Sequence, residues 1–394
     1  MTYGYPSSIK RPAGPGVVSR IVGGATYLRR LDWVLLLACV LLSTIGALCI
    51  WSATRLKLES FGNDPQTFFK RHLMNLAIGL VLGFFFSRID YRLLRAYAPI
   101  LFGASVLGLI VVLSPLGSRV NGTKAWIELP AGFSIQPAEF TKLGLILVVA
   151  SLLSERRDGE TEPPTRDILQ VLAIFAVPAA LVLIQPDLGT ALIMGVAVFG
   201  MIAVSGARTR LVVGLLLSVV VLAFGAVQFG VLKPYQVQRL TAFADPSGGG
   251  QTYGYNTQQA RIAIGSGGLT GEGLFHGAQT QRHFVPYNQT DFVYSVAGEE
   301  LGFVGAGGII LLFGVVLWRG IRIATRATDM FGRLVAVGIL CWLSFQAFEN
   351  IGMNLGIMPV TGVPLPFLSY GGTSMFASWI AIGLLQNVHL RSQD

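Results

Sequence analysis

The stretch WVLLLACVLLSTIGALCIWS, residues 33–52, contains no charged side chain. An apolar run of this length matches the roughly 20 residues that an α-helix needs to cross the hydrocarbon core of a bilayer. Arg29 and Arg30 stand just before it, as is typical of the end of a span that stays on the cytoplasmic side. The stretch therefore predicts a membrane-spanning helix whose amino end is cytoplasmic.

Further apolar runs follow along the chain, and they predict an all-α polytopic membrane protein with about ten transmembrane helices. Composition agrees, because the 394 residues are 53% hydrophobic and only 12% charged. A soluble domain usually has about a quarter charged residues. The predicted spans are residues 33–52, 69–87, 96–113, 140–153, 168–184, 188–205, 211–231, 303–318, 334–355 and 375–388.

The arrangement of these spans predicts how the chain is organised. Residues 1–30, interrupted by prolines and glycines, are expected to be a flexible cytoplasmic tail, and residues 31–390 a single transmembrane domain. Ten spans put both termini on one side, which then carries the majority of the 29 lysines and arginines. The positive-inside rule makes that side cytoplasmic, so residues of about 233–302 form a large extracytoplasmic loop between helices 7 and 8.

The formal net charge of +9 has a simple explanation in this arrangement. Arginines at the cytoplasmic ends of helices orient the spans, and anionic membrane lipids are their expected partners. We therefore expect membrane lipids, and not nucleic acid, to bind the basic side chains.

The segment FVPYNQTDFVYSVAGEE, residues 284–300, places Asp291 between a polar loop and an apolar helix. From position alone, two roles are open for Asp291. It could cap a helix that begins at Phe292, a role that Thr290 could also fill, or it could perform chemistry. Glu299 and Glu300 are expected to open the eighth span, where negative charge complements the helix dipole.

Three more ionisable side chains lie at the predicted outer surface. Glu139 and Lys142 are three residues apart, so on a helix they share a face and can pair, as a structural salt bridge or as part of a site. Asp187, after Gln185 and Pro186, could cap the sixth helix or contact a substrate. The residue types and positions leave these alternatives open.

Two other patterns exclude rather than suggest a site. The glycines of GSGGLTGEG, residues 265–273, do not fit GxGxxG and lack the lysine of a phosphate-binding loop, so they predict tight turns. His276 and His283 have no third ligand at a familiar spacing. The sequence therefore predicts neither a nucleotide site nor a metal site.

Six motifs, in order, resemble the SEDS family of RodA, FtsW and their relatives, and the resemblance covers nearly the whole chain, from about Leu31 to Leu390. They are QPAEFTK (136–142), QPDLGTA (185–191), YQVQRLTAF (235–243), GYNTQQARIAIGSGGLTGEG (254–273), TDFVYSVAGEELGFVG (290–305) and NIGMNLGIMPVTGVPLPFLSYGGTS (350–374). PVTGVPLPFLSYGG and the absence of an extended tail are more similar to RodA, whereas NGTKAWIEL and QPAEFTK are closer to FtsW. We place the chain nearer RodA.

The resemblance implies a bacterial peptidoglycan glycosyltransferase in the cytoplasmic membrane. Such enzymes polymerise lipid II into β-1,4 glycan strands and release undecaprenyl pyrophosphate, with a class B penicillin-binding protein as partner. A RodA-like member would serve cell elongation and shape. The family's essential aspartate matches Asp291, and Glu139 and Lys142 match polar positions of its outward cavity. Tyr287 and Gln289 replace an acidic residue and a histidine that many relatives have, and Ala125 replaces an arginine.

This resemblance leads to a hypothesis for the chemistry. Asp291 would act as the general base on the attacking sugar hydroxyl. Lys142 and Arg239 would lie near the pyrophosphate, with Glu139 orienting Lys142. Additional substrate contacts are expected from Lys124, Asp187 and Thr290. No cofactor is required, although a divalent cation could assist the pyrophosphate.

Two other functions are compatible with the sequence. A flippase for lipid-linked precursors could also have ten helices, glycine-rich breaks and ionisable groups in the membrane. The densest polar motifs lie in outward loops rather than in paired broken helices, which favours the polymerase. A non-catalytic scaffold for a penicillin-binding protein is the third function, and it would leave Asp291 only a capping role.

Overall fold

The computed structural model describes residues 27–120, 123–129, 133–155, 162–228 and 253–393. Helices dominate this part of the chain. In chain order they are α1 (Trp33–Ser60), α2 (Thr67–Arg88), α3 (Tyr91–Leu113), α4 (Pro137–Ser154), α5 (Thr165–Ile184), α6 (Leu188–Val204), α7 (Thr209–Gln228), α8 (Tyr253–Ser266), α9 (Ala278–Gln281), α10 (Val293–Glu300), α11 (Gly302–Arg326), α12 (Met330–Leu355) and α13 (Gly372–Arg391).

The predicted apolar runs correspond one to one with α1–α7 and α11–α13. Seven of these helices in the described part of the chain, α1–α5, α11 and α12, are long and apolar enough to cross a membrane. The apolar parts of α6 and α7 are shorter. The prediction of a polytopic, all-α membrane fold is confirmed.

Most observed helices extend beyond the predicted runs, because hydrophobicity marks only the part of a helix that lies in hydrocarbon. Several helix starts are fixed by aspartate caps, which accept a backbone N–H that has no partner within the helix. The caps are Asp32 of α1, Asp90 of α3, Asp187 of α6 and Asp329 of α12. At its other end α12 stops at Gly356, whose φ of 75° is left-handed.

Helices α4 and α12 lie at the centre of the bundle. Their most apolar windows are 78% and 67% buried, whereas the window of α3 is only 17% buried. Helix α13 is also buried over most of its length and packs against α2. Polar side chains in a membrane are costly unless protein surrounds them. The central helices are accordingly the ones that carry buried ionisable and amide groups.

A small antiparallel sheet, which the sequence did not indicate, connects α3 to α4. Its strands are β1 (Ser118–Val120), β2 (Thr123–Leu129) and β3 (Phe133–Ile135), in the order β1–β2–β3. Trp126 pairs with Ser118, and Ile127 pairs with Ile135. Two of the strands are only three residues long, too short for a period-two pattern to be recognised.

The described part of the predicted large loop is folded. It contains α8, α9 and α10, and residues 229–252 lie outside the described ranges. The glycine-rich residues 265–273 comprise the end of α8 and the turns that follow it, and these turns pack against the junction between α10 and α11. Glu272 N and Gly273 N donate to the carbonyls of Glu299 (3.0 Å) and Glu300 (3.1 Å), and Gly268 O accepts from Phe303 N at 2.9 Å. The glycine segment therefore satisfies backbone groups at the end of one helix and the start of the next.

The junction between α10 and α11 requires glycine at position 302, and this gives a stability prediction. Gly302 has a φ of +65°, and a Cβ there would lie 2.2 Å from Gly271 N. Left-handed backbone costs a residue with a Cβ roughly 1–2 kcal/mol before any clash. We expect Gly302→Ala to lower the thermal unfolding temperature in detergent. Gly308→Ala, in the same helix but with open space around its Cβ, is the control and should not.

Glu299 and Glu300 do not open the eighth span as predicted. They end α10, and the span begins after them at Gly302. Glu299 accepts hydrogen bonds from Gln279 N (2.6 Å), Thr280 N (2.9 Å) and Thr280 Oγ1 (2.6 Å), while Glu300 accepts one from Ser52 Oγ at 2.5 Å. Burial raises the pKa of both carboxyls. The two side chains thus attach α10 to α9 and to α1.

The predicted tail has an ordered end. Residues 1–26 lie outside the described part, but residues 27–30 are helical. The Tyr27 ring contacts Phe84 edge-on, and the Arg88 guanidinium lies 4.4 Å from its centroid. The described residues of the predicted tail therefore pack against α2.

Candidate active site

A cavity of about 490 Å³ lies at the end of the bundle where the small sheet, α10 and the segment between α12 and α13 meet. Its walls come from parts of the chain that are far apart in sequence. The ionisable lining residues are Arg71 of α2, Glu139 of α4, Asp187 before α6 and Asp291 before α10. Thr290 lines it too, together with Trp126 of β2 and Tyr370 before α13.

Asp291 belongs to a turn that leads into α10. Tyr287 has a φ of 57°, and its carbonyl accepts hydrogen bonds from Thr290 N (3.0 Å) and Phe292 N (3.3 Å). Helix α10 begins at Val293 with Phe292 as its N-cap residue, and no side-chain cap hydrogen bond forms there. Neither Asp291 nor Thr290 therefore occupies the N-cap position, and the turn places Asp291 on the cavity wall.

The main chain of this turn is held by polar side chains from two other segments. Asn350 Nδ2 and Asn354 Nδ2, both on α12, donate to Asp291 O at 2.8 and 3.2 Å. Ser369 Oγ donates to Thr290 O at 2.5 Å. These bonds fix the peptide groups on either side of the Asp291 Cα, and Asp291 lines the cavity.

Glu139 and Lys142 form the predicted pair, and both are 2% exposed. Lys142 Nζ lies 2.9 Å from Glu139 Oε1 and 3.1 Å from Gln346 Oε1, and 4.4 Å from the centroid of the Trp342 ring. Only Glu139 lines the cavity, so Lys142 lies in the wall behind it. Glu139 Oε2 has no hydrogen-bond partner among the described residues.

Asp187 has the capping role, and its contact with a substrate stays a prediction. Asp187 Oδ1 accepts from Thr190 N at 3.0 Å, which caps α6, and Oδ2 accepts from Thr190 Oγ1 at 2.8 Å. Gln136 Nε2 also donates to Oδ2 at 3.3 Å. The same carboxylate lines the cavity.

The two remaining predicted contacts are placed differently. Lys124 Nζ donates to Leu113 O at 3.1 Å, which ties β2 to the end of α3. Lys124 is not a lining residue, although its neighbours Thr123 and Trp126 are. Arg239 falls outside the described residues.

Arg71 is the cavity residue that sequence reasoning missed. Among the lining residues in the described ranges it is the one lysine or arginine, and it is exposed at the start of α2. The signal was weak, because Arg71 stands beside Lys70 at the outer end of the second span, where a basic residue is unremarkable. Only the fold shows that one of these two neighbours faces the cavity.

The described residues contain no group of three or more histidine, cysteine, aspartate or glutamate side chains that could hold a metal ion. The cavity carboxylates come from separate segments, and each of Glu139 and Asp187 already has protein partners.

Comparison with known proteins gives the family. Residues 32–394 match the family model FtsW/RodA/SpoVE, described as "Cell cycle protein". The chain belongs to the FtsW/RodA/SpoVE family. This family is the SEDS family to which the six motifs pointed, and membership makes the chain a multi-pass membrane protein and a glycosyltransferase.

Individual members of the FtsW/RodA/SpoVE family match over most of their length. Stage V sporulation protein E of Bacillus subtilis is 39% identical over 91% of this chain and 96% of its own. The probable peptidoglycan glycosyltransferase FtsW of Trichlorobacter lovleyi is 36% identical over 91% of this chain and 92% of its own. A solved chain from a study of "polymerization and crosslinking by a peptidoglycan synthase complex" is similar with a TM-score of 0.77, 32% identity, and coverage of 92% and 99%.

Proposed function

We propose that the chain is a peptidoglycan glycosyltransferase that polymerises lipid II into β-1,4-linked glycan strands. The observation that carries this proposal is the single cavity lined by Asp291, Glu139, Asp187 and Arg71 at one end of a membrane bundle. Its volume is within the range of about 300–1,000 Å³ usual for small-molecule sites. The names of the FtsW relative and of the solved synthase complex support the same substrate class.

The reaction needs a base more than an acid. The C4 hydroxyl of one lipid-linked sugar attacks C1 of another, and Asp291 accepts the hydroxyl proton as the new C–O bond forms. The bond from C1 to the pyrophosphate oxygen breaks, and undecaprenyl pyrophosphate leaves with the electron pair. A single displacement of this kind converts an α-linked donor into a β linkage. Because pyrophosphate leaves as a stabilised anion, it needs nearby cations and not a proton donor.

The cation nearest the substrate in this proposal is Arg71. Lys142 is buried against Glu139 and Gln346, so its charge acts from within the wall by neutralising Glu139. Arg71 is exposed on the lining and can bind phosphate oxygens with two parallel N–H groups. Arg239 and Lys124 stay in the proposal as further contacts for the lipid-linked substrate.

Arg71→Gln tests this assignment. A hydrogen bond to a charged group contributes roughly 1.5–3 kcal/mol, so the KM for lipid II is expected to rise about 10- to 100-fold. Lys70→Gln is the control, because Lys70 is adjacent and cationic but bonds Asp64 at 2.6 Å and does not line the cavity. Equal KM values for the two variants would contradict the role of Arg71.

The proposal includes location, partner and cellular role. The cavity end faces outward from the bacterial cytoplasmic membrane, and both termini are cytoplasmic. A class B penicillin-binding protein crosslinks the strands, in keeping with the solved complex that couples polymerization to crosslinking. The RodA-like segment PVTGVPLPFLSYGG favours elongation and cell shape. Depletion should then produce round cells, whereas a division or sporulation role would leave growing cells rod-shaped.

A proteoliposome assay separates this function from its alternatives. At the bundle end opposite the cavity, polar contacts join the helices: Arg319 pairs with Asp32 at 2.6 Å, and Gln386 Nε2 donates to Asp32 O at 2.9 Å. A site at one end of the bundle, and not at its middle, favours a polymerase over a flippase. We expect purified protein to form glycan polymer from lipid II without moving it across the bilayer. Movement of lipid II without polymer would identify a flippase, and the absence of both activities would favour the non-catalytic scaffold.

The same assay with a chelator added measures the contribution of a divalent cation to polymerisation.

A further inference from the structure

Helix α12 carries three amide side chains, Gln346, Asn350 and Asn354, spaced four residues apart. Residues at this spacing lie above one another on one helix face. All three are fully buried. We call this row the amide ladder. Buried amides need partners, since an unpaired polar group away from water costs about 1–3 kcal/mol.

Two members of the amide ladder, Asn350 and Asn354, both donate a hydrogen bond to the carbonyl of Asp291. Asn350 Nδ2 donates to Asp291 O and to Val363 O, both at 2.8 Å. Asn354 Nδ2 donates to the same Asp291 O at 3.2 Å, and Asn354 Oδ1 accepts from Ser295 N at 3.2 Å. A single carbonyl thus receives two side-chain donors from a rigid central helix.

The third member of the amide ladder, Gln346, contacts the buried cation Lys142. Gln346 Oε1 accepts from Lys142 Nζ at 3.1 Å and from Trp342 Nε1 at 2.5 Å, while Gln346 Nε2 donates to Pro364 O at 2.7 Å. Successive members are about 6 Å apart along the axis, at 1.5 Å per residue. The same face of α12 therefore sets the distance between the Glu139–Lys142 pair and the turn that carries Asp291.

We propose that the amide ladder positions the general base, with Asn350 as its principal member. This inference rests on the proposed function. Asp291 lies in an irregular turn that precedes α10, so the regular hydrogen bonds of that helix do not fix its backbone. The bonds from α12 supply that constraint. Because a misplacement of about 1 Å can cost a factor of about 10² in rate, such a constraint acts on kcat.

The test compares Asn350→Ala with Asn387→Ala. Asn387 is also buried, and its Nδ2 also donates to two backbone carbonyls, Phe86 O at 2.9 Å and Ile89 O at 2.6 Å, at the opposite end of the bundle. The two variants lose comparable bonds. We expect Asn350→Ala to lower kcat for polymerisation about 10- to 100-fold with KM changed less than about threefold. Asn387→Ala should lower thermal stability to a similar degree and leave kcat unchanged.

A second variant covers the case in which Asn350→Ala does not fold. Asn354→Ala removes one of the two donors to Asp291 O and leaves the bond from Asn350 to Val363 O intact. It should lower kcat by a smaller factor. Unchanged kcat in the Asn354 variant, or in a folded Asn350 variant, would overturn the inference.

A double-mutant cycle excludes a merely structural effect. In an Asp291→Glu background the base is already misplaced, so Asn350→Ala should reduce kcat by a smaller factor than in the wild type. If the kcat of the double variant is lowered by the product of the two single-variant factors, Asn350 acts independently of Asp291 and the inference fails. The Asp291→Asn variant distinguishes failure of this inference from failure of the proposed chemistry. If Asp291→Asn polymerises at a near-normal rate, Asp291 is not the base. If Asp291→Asn is inactive but Asn350→Ala is fully active, Asp291 remains the base and only the positioning role of Asn350 is wrong.

Discussion

Asp291→Asn is expected to lower the rate of lipid II polymerisation by about 10²–10⁴-fold, the usual contribution of a positioned general base. Asparagine keeps the size of the side chain and its place on the cavity lining but cannot accept the hydroxyl proton. The main-chain bonds from Asn350 and Asn354 to Asp291 O do not involve the carboxylate, so the turn should persist. Strand synthesis by purified protein, followed by gel separation of the glycan products, measures the loss.

Asp64→Asn is the matched control for this substitution. Asp64 is an exposed aspartate at the same end of the bundle, where it pairs with Lys70 at 2.6 Å, and it does not line the cavity. Its replacement should leave polymerisation unchanged. If Asp291→Asn folds, as shown by an unaltered unfolding temperature, and still polymerises at a near-normal rate, Asp291 is not the base.

Lys142→Met is expected to cause the largest loss of stability, about 3–5 kcal/mol. Methionine fills a similar volume, but it leaves the Glu139 carboxylate, which is 2% exposed, without its cation. Removing one partner of a buried ion pair costs far more than removing both. Thermal unfolding in detergent should therefore shift strongly downward for the single variant.

The double variant Glu139→Gln with Lys142→Met separates stability from chemistry. With both charges removed, most of the unfolding temperature should return. Polymerisation should stay low, because the cavity lining then lacks the Glu139 carboxylate that the proposal places at the substrate. Restored activity in the double variant would show that the pair serves only the fold, and an unchanged unfolding temperature in Lys142→Met would show that the pair is not stabilising.

The sequence predicted the helices well because a bilayer imposes one dominant requirement, a long apolar run, and each run stands out from its polar ends. It could not indicate which spans occupy the centre of the bundle. Helix α3 is more apolar than α4, yet only α4 is enclosed by protein, and this follows from packing between distant segments.

The candidate site was predicted only in part. Motif resemblance selected Asp291, Glu139, Asp187 and Thr290, all of which line the cavity, although their chemical roles stay predictions. Arg71 and Lys142 show the limit of prediction from sequence, because a one-dimensional pattern cannot tell which basic residue lines a cavity and which is buried behind the lining. The spacing of Gln346, Asn350 and Asn354 was readable in the sequence. Its meaning appeared only when the carbonyl of Asp291 was found opposite them.

The cavity walls extend from Arg71 near the start of the chain to Phe376 in the last helix. During synthesis, therefore, no part of the chain short of α13 can form a complete site. The contact between Gln386 and Asp32 joins α13 to α1. A ribosome that stalls before α13, or a message that ends before it, would release a membrane protein with an incomplete cavity in place of a partly active enzyme. Competence for strand synthesis is thus acquired in one step, when α13 packs into the bundle.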